Sequence, residues 1–444
     1  MTDTAPIAAI ATAPGMGAIG VVRVSGPNLA TLIGSLIGAP LKPRQAVLAR
    51  FRDAAGEVLD VGLALYFPAP HSYTGEDVLE LQAHGGPVVL HLLLKRCLEL
   101  GARPAQPGEF TQRAYLNDKL DLAQAEGVAD LISAATVEAA RGALRSLQGV
   151  FSQEVERLVR QLIELRALVE ATLDFPEEEI EVLRQAAFGE RVEVVLGYLD
   201  RVLSASKKGR LIRDGLQVVL VGRPNVGKSS LINKLVNEDV AIVTDIPGTT
   251  RDTIRQTIDI AGIPVHLVDT AGLRDPGDPI ERIGIERSWS AIRGADLLVV
   301  IQEAVREEED PAFMTEFPSD LPRIVVLNKA DLIGGVKASG LREGSERIWV
   351  SAKTGAGLDL LRDAIRERAG WSSPGEGFFM ARQRHLEALE RAKGYLANAR
   401  EKGRGLEILA EELRLAQEAV SSITGEFTSD DLLGEIFARF CIGK

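Results

Sequence analysis

The stretch 217-QVVLVGRPNVGKSSLINKLV-236 decides the fold. Its opening apolar run has the texture of a buried strand, its closing SLINKLV reads as a helix, and the turn between them, Gly222 to Ser229, fits G-x4-G-K-S. Strand, glycine-rich turn and helix in that order make a phosphate-binding loop. Glycines let backbone N–H groups converge on phosphate oxygens, the Lys228 ammonium serves the β and γ groups as the catalytic charge, and the Ser229 hydroxyl is a Mg²⁺ ligand. The expected triphosphate cradle therefore runs from Asn225 through Val226, Gly227, Lys228 and Ser229 to Ser230.

The companions of this loop follow downstream, and most close a strand-like run. Asp269 of DTAG stands at a strand end where it can hold Mg²⁺, and beyond Thr270 and Ala271 the Gly272 amide can meet the γ-phosphate. NKAD, from Asn328 through Lys329 and Ala330 to Asp331, follows another strand. The Asp331 carboxylate can accept from the guanine N1 and exocyclic amino groups, a donor pair that adenine lacks, which selects GTP over ATP. Ser351, Ala352 and Lys353 follow a further strand and support the base edge. Between loop and DTAG lies the switch element 244-TDIPGTTRD-252, where Thr250 is placed to complete the Mg²⁺ shell. Thr244, Asp245, Ile246, Pro247, Gly248 and Thr249 supply its other nucleotide contacts. The residue after DTAG is Leu273, where Ras-type enzymes carry a water-positioning glutamine, so the attacking water needs another organiser.

Farther out, the chain has 444 residues, enough for two to four domains at about 100–200 residues each. With 45% hydrophobic and 26% charged residues, disordered and collagen-like readings are excluded. No apolar run reaches the roughly 20 residues of a membrane span, and the start, with Asp3 and no basic residue before Arg23, reads as mature protein. Two cysteines, Cys97 and Cys441, are too few for a disulfide framework and point to a reducing compartment, the cytoplasm. The net charge of −12 has the wrong sign for coating nucleic acid, so any RNA contact is local or shared.

Short apolar runs punctuated by glycine and proline mark residues 1–119 as an α/β domain. Residues 120–213 turn helical. Val155, Leu158, Leu162, Leu165 and Val169 share one helix face; that helix should end near 174-DFPEEEIE-181, and a second through Val192, Leu196, Leu199 and Leu203 should run out at 205-ASKKGR-210. From 214 to 370, strand runs alternate with helical segments as a parallel α/β sheet requires, and 371–444 is helical again, with Leu406, Leu409, Leu413, Ala416, Val420 and Ile423 on one stripe. The expected architecture is α/β plus all-α, with a phosphate-loop GTPase domain inserted into a helical one.

The nucleotide motifs, double threonine included, resemble the GTPases of the Era and Der type. The segments 71-HSYTGEDVLELQAHGG-86, 107-PGEFTQRAYLNDKLDLAQAEGVADLI-132 and 441-CIGK-444 together resemble the MnmE (TrmE) family of tRNA modification GTPases over essentially the whole chain. That resemblance implies an N-terminal domain that dimerises the chain and binds a tetrahydrofolate derivative, 5-formyl or 5,10-methylene, through Arg23, Glu80, Lys119 and Lys444. It implies Cys441 as a thiol of the folate pocket with a catalytic role, and Glu281 as the acid that orients the attacking water. It also implies K⁺ beside the phosphates, held by Asn225, Thr244, Ile246 and Thr249. The implied work is addition of a carboxymethylaminomethyl-type group to carbon 5 of the wobble uridine of certain tRNAs, with the FAD-dependent MnmG in a heterotetramer and no membrane. A ribosome-assembly GTPase of the Era or Der type is the alternative, but neither a second phosphate loop nor a GXXG-bearing basic module occurs.

Overall fold

The computed structural model describes residues 5–174, 185–238, 255–270, 288–305, 317–334, 340–342, 345–371, 377–400, 405–426, 430–438 and 440–443. The chain divides into two compact units. One comprises Met1–Ala129, Ser146–Leu196 and Arg391–Lys444, the other Asp130–Arg145 and Gly197–Glu390.

The first unit opens on a six-stranded sheet of β1 (Ile7–Ile10), β2 (Ile19–Gly26), β3 (Val47–Arg52), β4 (Val58–Phe67), β5 (Asp77–His84) and β6 (Arg103–Pro104), in the order β3-β4-β5-β2-β1-β6. Only β1 and β6 pair in parallel. Side chains alternate across a strand, so Leu79, Leu81 and Ala83 of β5 enter the core while Glu80 and Gln82 take the opposite face. That core is closed by α1 (Ala30–Ile37) and α2 (Pro87–Glu99), which contribute Leu32, Leu36, Leu90, Leu93 and Cys97. Register then sets Arg23 of β2 directly beside Glu80.

Helices α3 (Glu109–Leu116), α4 (Leu122–Ser133), α5 (Val137–Leu147) and α6 (Val150–Asp174) follow. The stripe Val155, Leu158, Leu162, Leu165 and Val169 is buried, and α6 packs on α11 (Leu406–Ser421), whose Leu409, Leu413, Ala416 and Val420 are buried in turn. Leu122 and Ala125 of α4 meet Leu433, Ile436 and Phe437 of α12 (Asp430–Ala438). The acidic run after Asp174 lies outside the described residues. The second long helix does not run out at 205–210: α7 spans Gln185–Asp214. Alanine, serine, lysine and arginine all tolerate a helix, and Gly209 is needed for an approach rather than a stop, since a Cβ there would lie 1.6 Å from the Phe379 carbonyl oxygen.

The second unit is built on a seven-stranded sheet of β7 (Leu216–Gly222), β8 (Arg255–Ile260), β9 (Ile263–Asp269), β10 (Leu297–Glu303), β11 (Arg323–Asn328), β12 (Gly340–Arg342) and β13 (Ser345–Trp349), ordered β12-β13-β11-β10-β7-β9-β8. Its central strands are parallel and almost wholly buried, because apolar layers cover both faces: Val218 and Leu220 enter one, Val219 and Val221 the other. The strand runs read from the sequence, β7, β9, β10, β11 and β13, do pair in parallel; two further edge strands differ, β8 running antiparallel to β9 and β12 to β13. Ala261 and Gly262, at φ of 53° and 90°, form a two-residue turn, which can only join antiparallel neighbours. Helices α8 (Lys228–Glu238) and α9 (Leu358–Arg368) belong to this unit, and α10 (Gln383–Arg400) begins in it.

Candidate functional site

Strand order in the second unit reverses at β7, with β9 on one side and β10 on the other, which opens a crevice at the strands' carboxyl ends. The phosphate loop leaves β7 at that point. Asn225 and Gly227 take left-handed backbone at φ of 67° and 93°, and a Cβ on Gly227 would fall 2.3 Å from Asn328 Nδ2. The loop feeds α8, whose first N–H groups have no intrahelical acceptor and face the crevice as an anion site. Lys228 Nζ folds back to donate to the Gly222 carbonyl at 2.9 Å. Burial draws its pKa below the usual lysine range, with the Asp269 charge opposing, so phosphates arriving here favour the charged form. Val226 is buried, while Ser229 and Ser230 are exposed.

Ser229 Oγ donates to Asp269 Oδ2 at 2.8 Å, and Asp269 Oδ1 is buried without a hydrogen-bond partner among the described residues. An orphaned carboxylate oxygen next to a hydroxyl is the donor set of a hard divalent cation, so these two residues fit Mg²⁺. Thr270 Oγ1 donates to the Leu220 carbonyl at 2.7 Å and ties the start of DTAG to β7.

The base side is equally ordered. Asn328 Nδ2 donates to the Val226 carbonyl at 2.9 Å, Asn328 Oδ1 accepts from the Ala352 N–H at 3.0 Å, and Ser351 Oγ donates to Asp331 Oδ1 at 2.7 Å. Ala330 N–H reaches the Val350 carbonyl, Lys353 is exposed, and the Lys329 ammonium pairs with Glu303. The geometry thus brings together Asn225, Val226, Gly227, Lys228, Ser229, Asp269, Asn328, Asp331, Ser351 and Ala352. Thr244, Asp245, Ile246, Pro247, Gly248, Thr249, Thr250, Ala271, Gly272 and Glu281 lie outside the described residues.

A second cluster occupies the outer sheet face of the first unit. Arg23 Nε and Nη2 both donate to Glu80 Oε1, at 3.0 and 2.8 Å, and Nη1 reaches the Gly443 carbonyl at 3.4 Å. The rings of Tyr73 and Phe110 flank the guanidinium, each with its centroid 5.8 Å away. Sequence reading missed both rings, although Tyr73 lies within 71–86 and Phe110 within 107–132; no local period marks a ring that meets an arginine from another strand. Burial pushes the Tyr73 phenol above its usual pKa, against the Thr111 hydrogen bond and the Arg23 charge. The C-terminal tail is seated by the Gly108 N–H to the Cys441 carbonyl, and a Cβ on Gly443 would fall 2.7 Å from the Ile10 carbonyl oxygen. Cys441 itself is exposed. Lys119 is exposed in the loop after α3, on a cavity of about 460 Å³ that Arg23 and Glu80 do not line. Lys444 lies outside the described residues.

Comparison with known proteins places the chain in one lineage. The family model described as "GTP-binding protein TrmE N-terminus" matches residues 6–119, and the "MnmE helical domain" model matches 122–441. A protein of Nitrosomonas europaea named tRNA modification GTPase MnmE is 57% identical over 100% of both chains. Proteins of the same name from Thiobacillus denitrificans and Azoarcus sp. are 56% and 57% identical over 99% of this chain and 98% of theirs. With a matching family model across most of its length and full-length relatives above half identity, the chain belongs to the MnmE family of tRNA modification GTPases.

Proposed function

We propose that the chain binds and hydrolyses GTP and spends that hydrolysis on tRNA modification, adding an aminomethyl-type group, such as carboxymethylaminomethyl, at carbon 5 of the wobble uridine. The observation that carries the nucleotide half is the convergence of the phosphate loop, Asp269 and the Asn328–Asp331 segment on one crevice. Lys228 and the α8 N–H groups hold the triphosphate, Ser229 and Asp269 hold Mg²⁺, and Asp331 keeps its second oxygen for the guanine edge while Ser351 occupies the first. Mg²⁺ supplies charge neutralisation at the phosphoryl group. Asn225, turned outward in left-handed backbone, is the described member of the proposed K⁺ ligand set. Thr250 is proposed as the second protein ligand of Mg²⁺, and Glu281 as the organiser of the attacking water, in place of the glutamine that Leu273 replaces.

The tRNA half rests on family membership, and the outer sheet face supports its chemistry. A tetrahydrofolate derivative has a hydrogen-bonding ring edge and an anionic tail; Glu80, with Arg23 bonded to it, suits the first, and Lys119 and Lys444 are proposed for the second. Because Arg23 and Glu80 are bonded to one another, they meet adjoining parts of one ligand rather than its two ends. Cys441 is the proposed nucleophilic thiol of that pocket. Homodimerisation through residues 1–119, assembly with MnmG, which brings FAD, and a cytoplasmic location complete the proposal. Among the described residues no helix is long and apolar enough to cross a membrane. The domain plan proposed with it is 1–119, 120–213, 214–370 and 371–444.

Nucleoside mass spectrometry of tRNA, from cells with and without the gene, tests this directly. Loss of the modified wobble uridine on deletion, restored by the wild-type chain and not by Asp269→Ala, is the expected result. An unchanged wobble profile overturns the tRNA reading, and a purified chain that does not hydrolyse GTP overturns the nucleotide one.

A further inference from the structure

Glu303, which pairs with Lys329 of the NKAD segment, itself belongs to no motif. Glu303 closes β10 and lies in parallel register with Asn328, which closes β11, so two adjacent strand ends at the base site carry the pair. Lys329 follows at φ 65°, a left-handed backbone that a residue with a Cβ adopts at a cost, and from there its ammonium turns to Glu303. Its neighbours are already held, Asn328 by Val226 and Ala352, Asp331 by Ser351. The four-carbon Lys329 stem would otherwise be the loose wall of this site, because lysine carries more rotamer freedom than almost any other side chain.

We propose that Glu303 is a positioning residue for the guanine nucleotide, holding the Lys329 stem against the base position and so setting how tightly GTP and GDP are kept, without touching either. The inference rests on the nucleotide reading of the crevice. A partly exposed lysine–carboxylate pair adds little to folding, with the two side chains 35% and 23% exposed, so its effect belongs in binding, where a prearranged wall spares the ligand the ordering cost. Charge alone predicts the opposite sign. Glu303 as a bare negative charge repels a polyanion, and its removal would tighten binding.

The test uses the full chain, a fluorescent GDP analogue in stopped flow, and steady-state GTP hydrolysis. Glu303→Ala is expected to raise the GDP Kd and the GTP KM about three- to tenfold through faster dissociation, with kcat at saturation within about twofold. Glu303→Gln, whose amide oxygen still accepts from the ammonium, is expected to fall between wild type and alanine, and it carries the test should the alanine variant not fold. Adding Glu303→Ala to Lys329→Met is expected to change nucleotide binding no further, because the proposed effect of Glu303 on the nucleotide passes through Lys329. Unchanged or tighter binding in Glu303→Ala, or additive losses in the double variant, overturns the proposal. Wild-type chain that does not bind GDP overturns instead the reading on which it rests.

Discussion

Asp331 spends one carboxylate oxygen on the Ser351 hydroxyl and has the other for a ligand. The two charge-assisted hydrogen bonds proposed to guanine, at roughly 1.5–3 kcal/mol each, would be lost if that oxygen were replaced by an amide nitrogen. Asp331→Asn is therefore expected to weaken GTP binding by on the order of 10²-fold or more and to favour xanthosine triphosphate, as read by titration with both nucleotides. Unaltered GTP affinity would remove Asp331 from the base edge. The two cysteines differ as sharply. Burial in the α2 core pushes the Cys97 thiol up to about 12, so it stays protonated and shielded, whereas Cys441 is exposed on the tail. A thiol reagent at neutral pH is expected to modify Cys441 alone in the native chain and both after denaturation, counted by intact mass.

Among the elements, α3 depends on charge at its start. Glu109 takes a bidentate pair from Arg103 and a third contact from Arg113, which also grips Glu76. Burial alone would raise the Glu109 pKa, but the Arg103 hydrogen bonds, the Gln106 N–H and the two arginine charges outweigh it and hold the carboxyl below its usual value. A depressed carboxylate contributes stability that is present above its unfolded pKa of about 4.5 and fades as pH falls through the lower folded value. Glu109→Gln is expected to flatten the acid limb of stability against pH in urea titrations below pH 5. Arg113→Ala removes the ion-pair partner of the half-buried Glu76 and the third contact of the buried Glu109, and is expected to cost about 3 kcal/mol, more than Arg103→Ala at the wetter end of the network. Helix α7 supplies a paired test of why it runs past 205–210. Gly197 has open space at its Cβ position while Gly209 has the Phe379 carbonyl. In urea unfolding, Gly197→Ala is expected to stabilise by up to about 1 kcal/mol through propensity, and Gly209→Ala to destabilise by about 1–3 kcal/mol through overpacking.

For the whole molecule, the proposed K⁺ set joins Asn225 of the phosphate loop to three residues of the switch, so the ion would couple switch ordering to hydrolysis. GTP hydrolysis by the full chain at saturating nucleotide is expected to run at least about tenfold faster in K⁺ than in Na⁺, as removal of a preorganised charge stabiliser of the phosphoryl group commonly costs 10²–10³. Equal rates in the two salts would return Asn225 to a turn role.

Residue order along the chain carries the chemistry that depends on spacing. Strand, loop and helix around Gly222–Ser229, the DTAG aspartate, NKAD and SAK are short segments whose residue types and order carry the proposed phosphate, Mg²⁺ and guanine contacts, and helix stripes such as Val155 to Val169 predict their buried faces because 3.6 residues per turn is a local property. Which distant groups meet depends on how the strands and the tail pack. Arg23 lies on Glu80 because β2 and β5 pair in that register, and on Gly443, 420 residues away, because the tail crosses the same sheet. Glu303 meets Lys329 because β10 and β11 end side by side, and β8 and β12 turn antiparallel where their loops are too short for a crossover. No periodicity within one segment encodes the register between two, since register is set by packing of whole sheet faces and by loop closure.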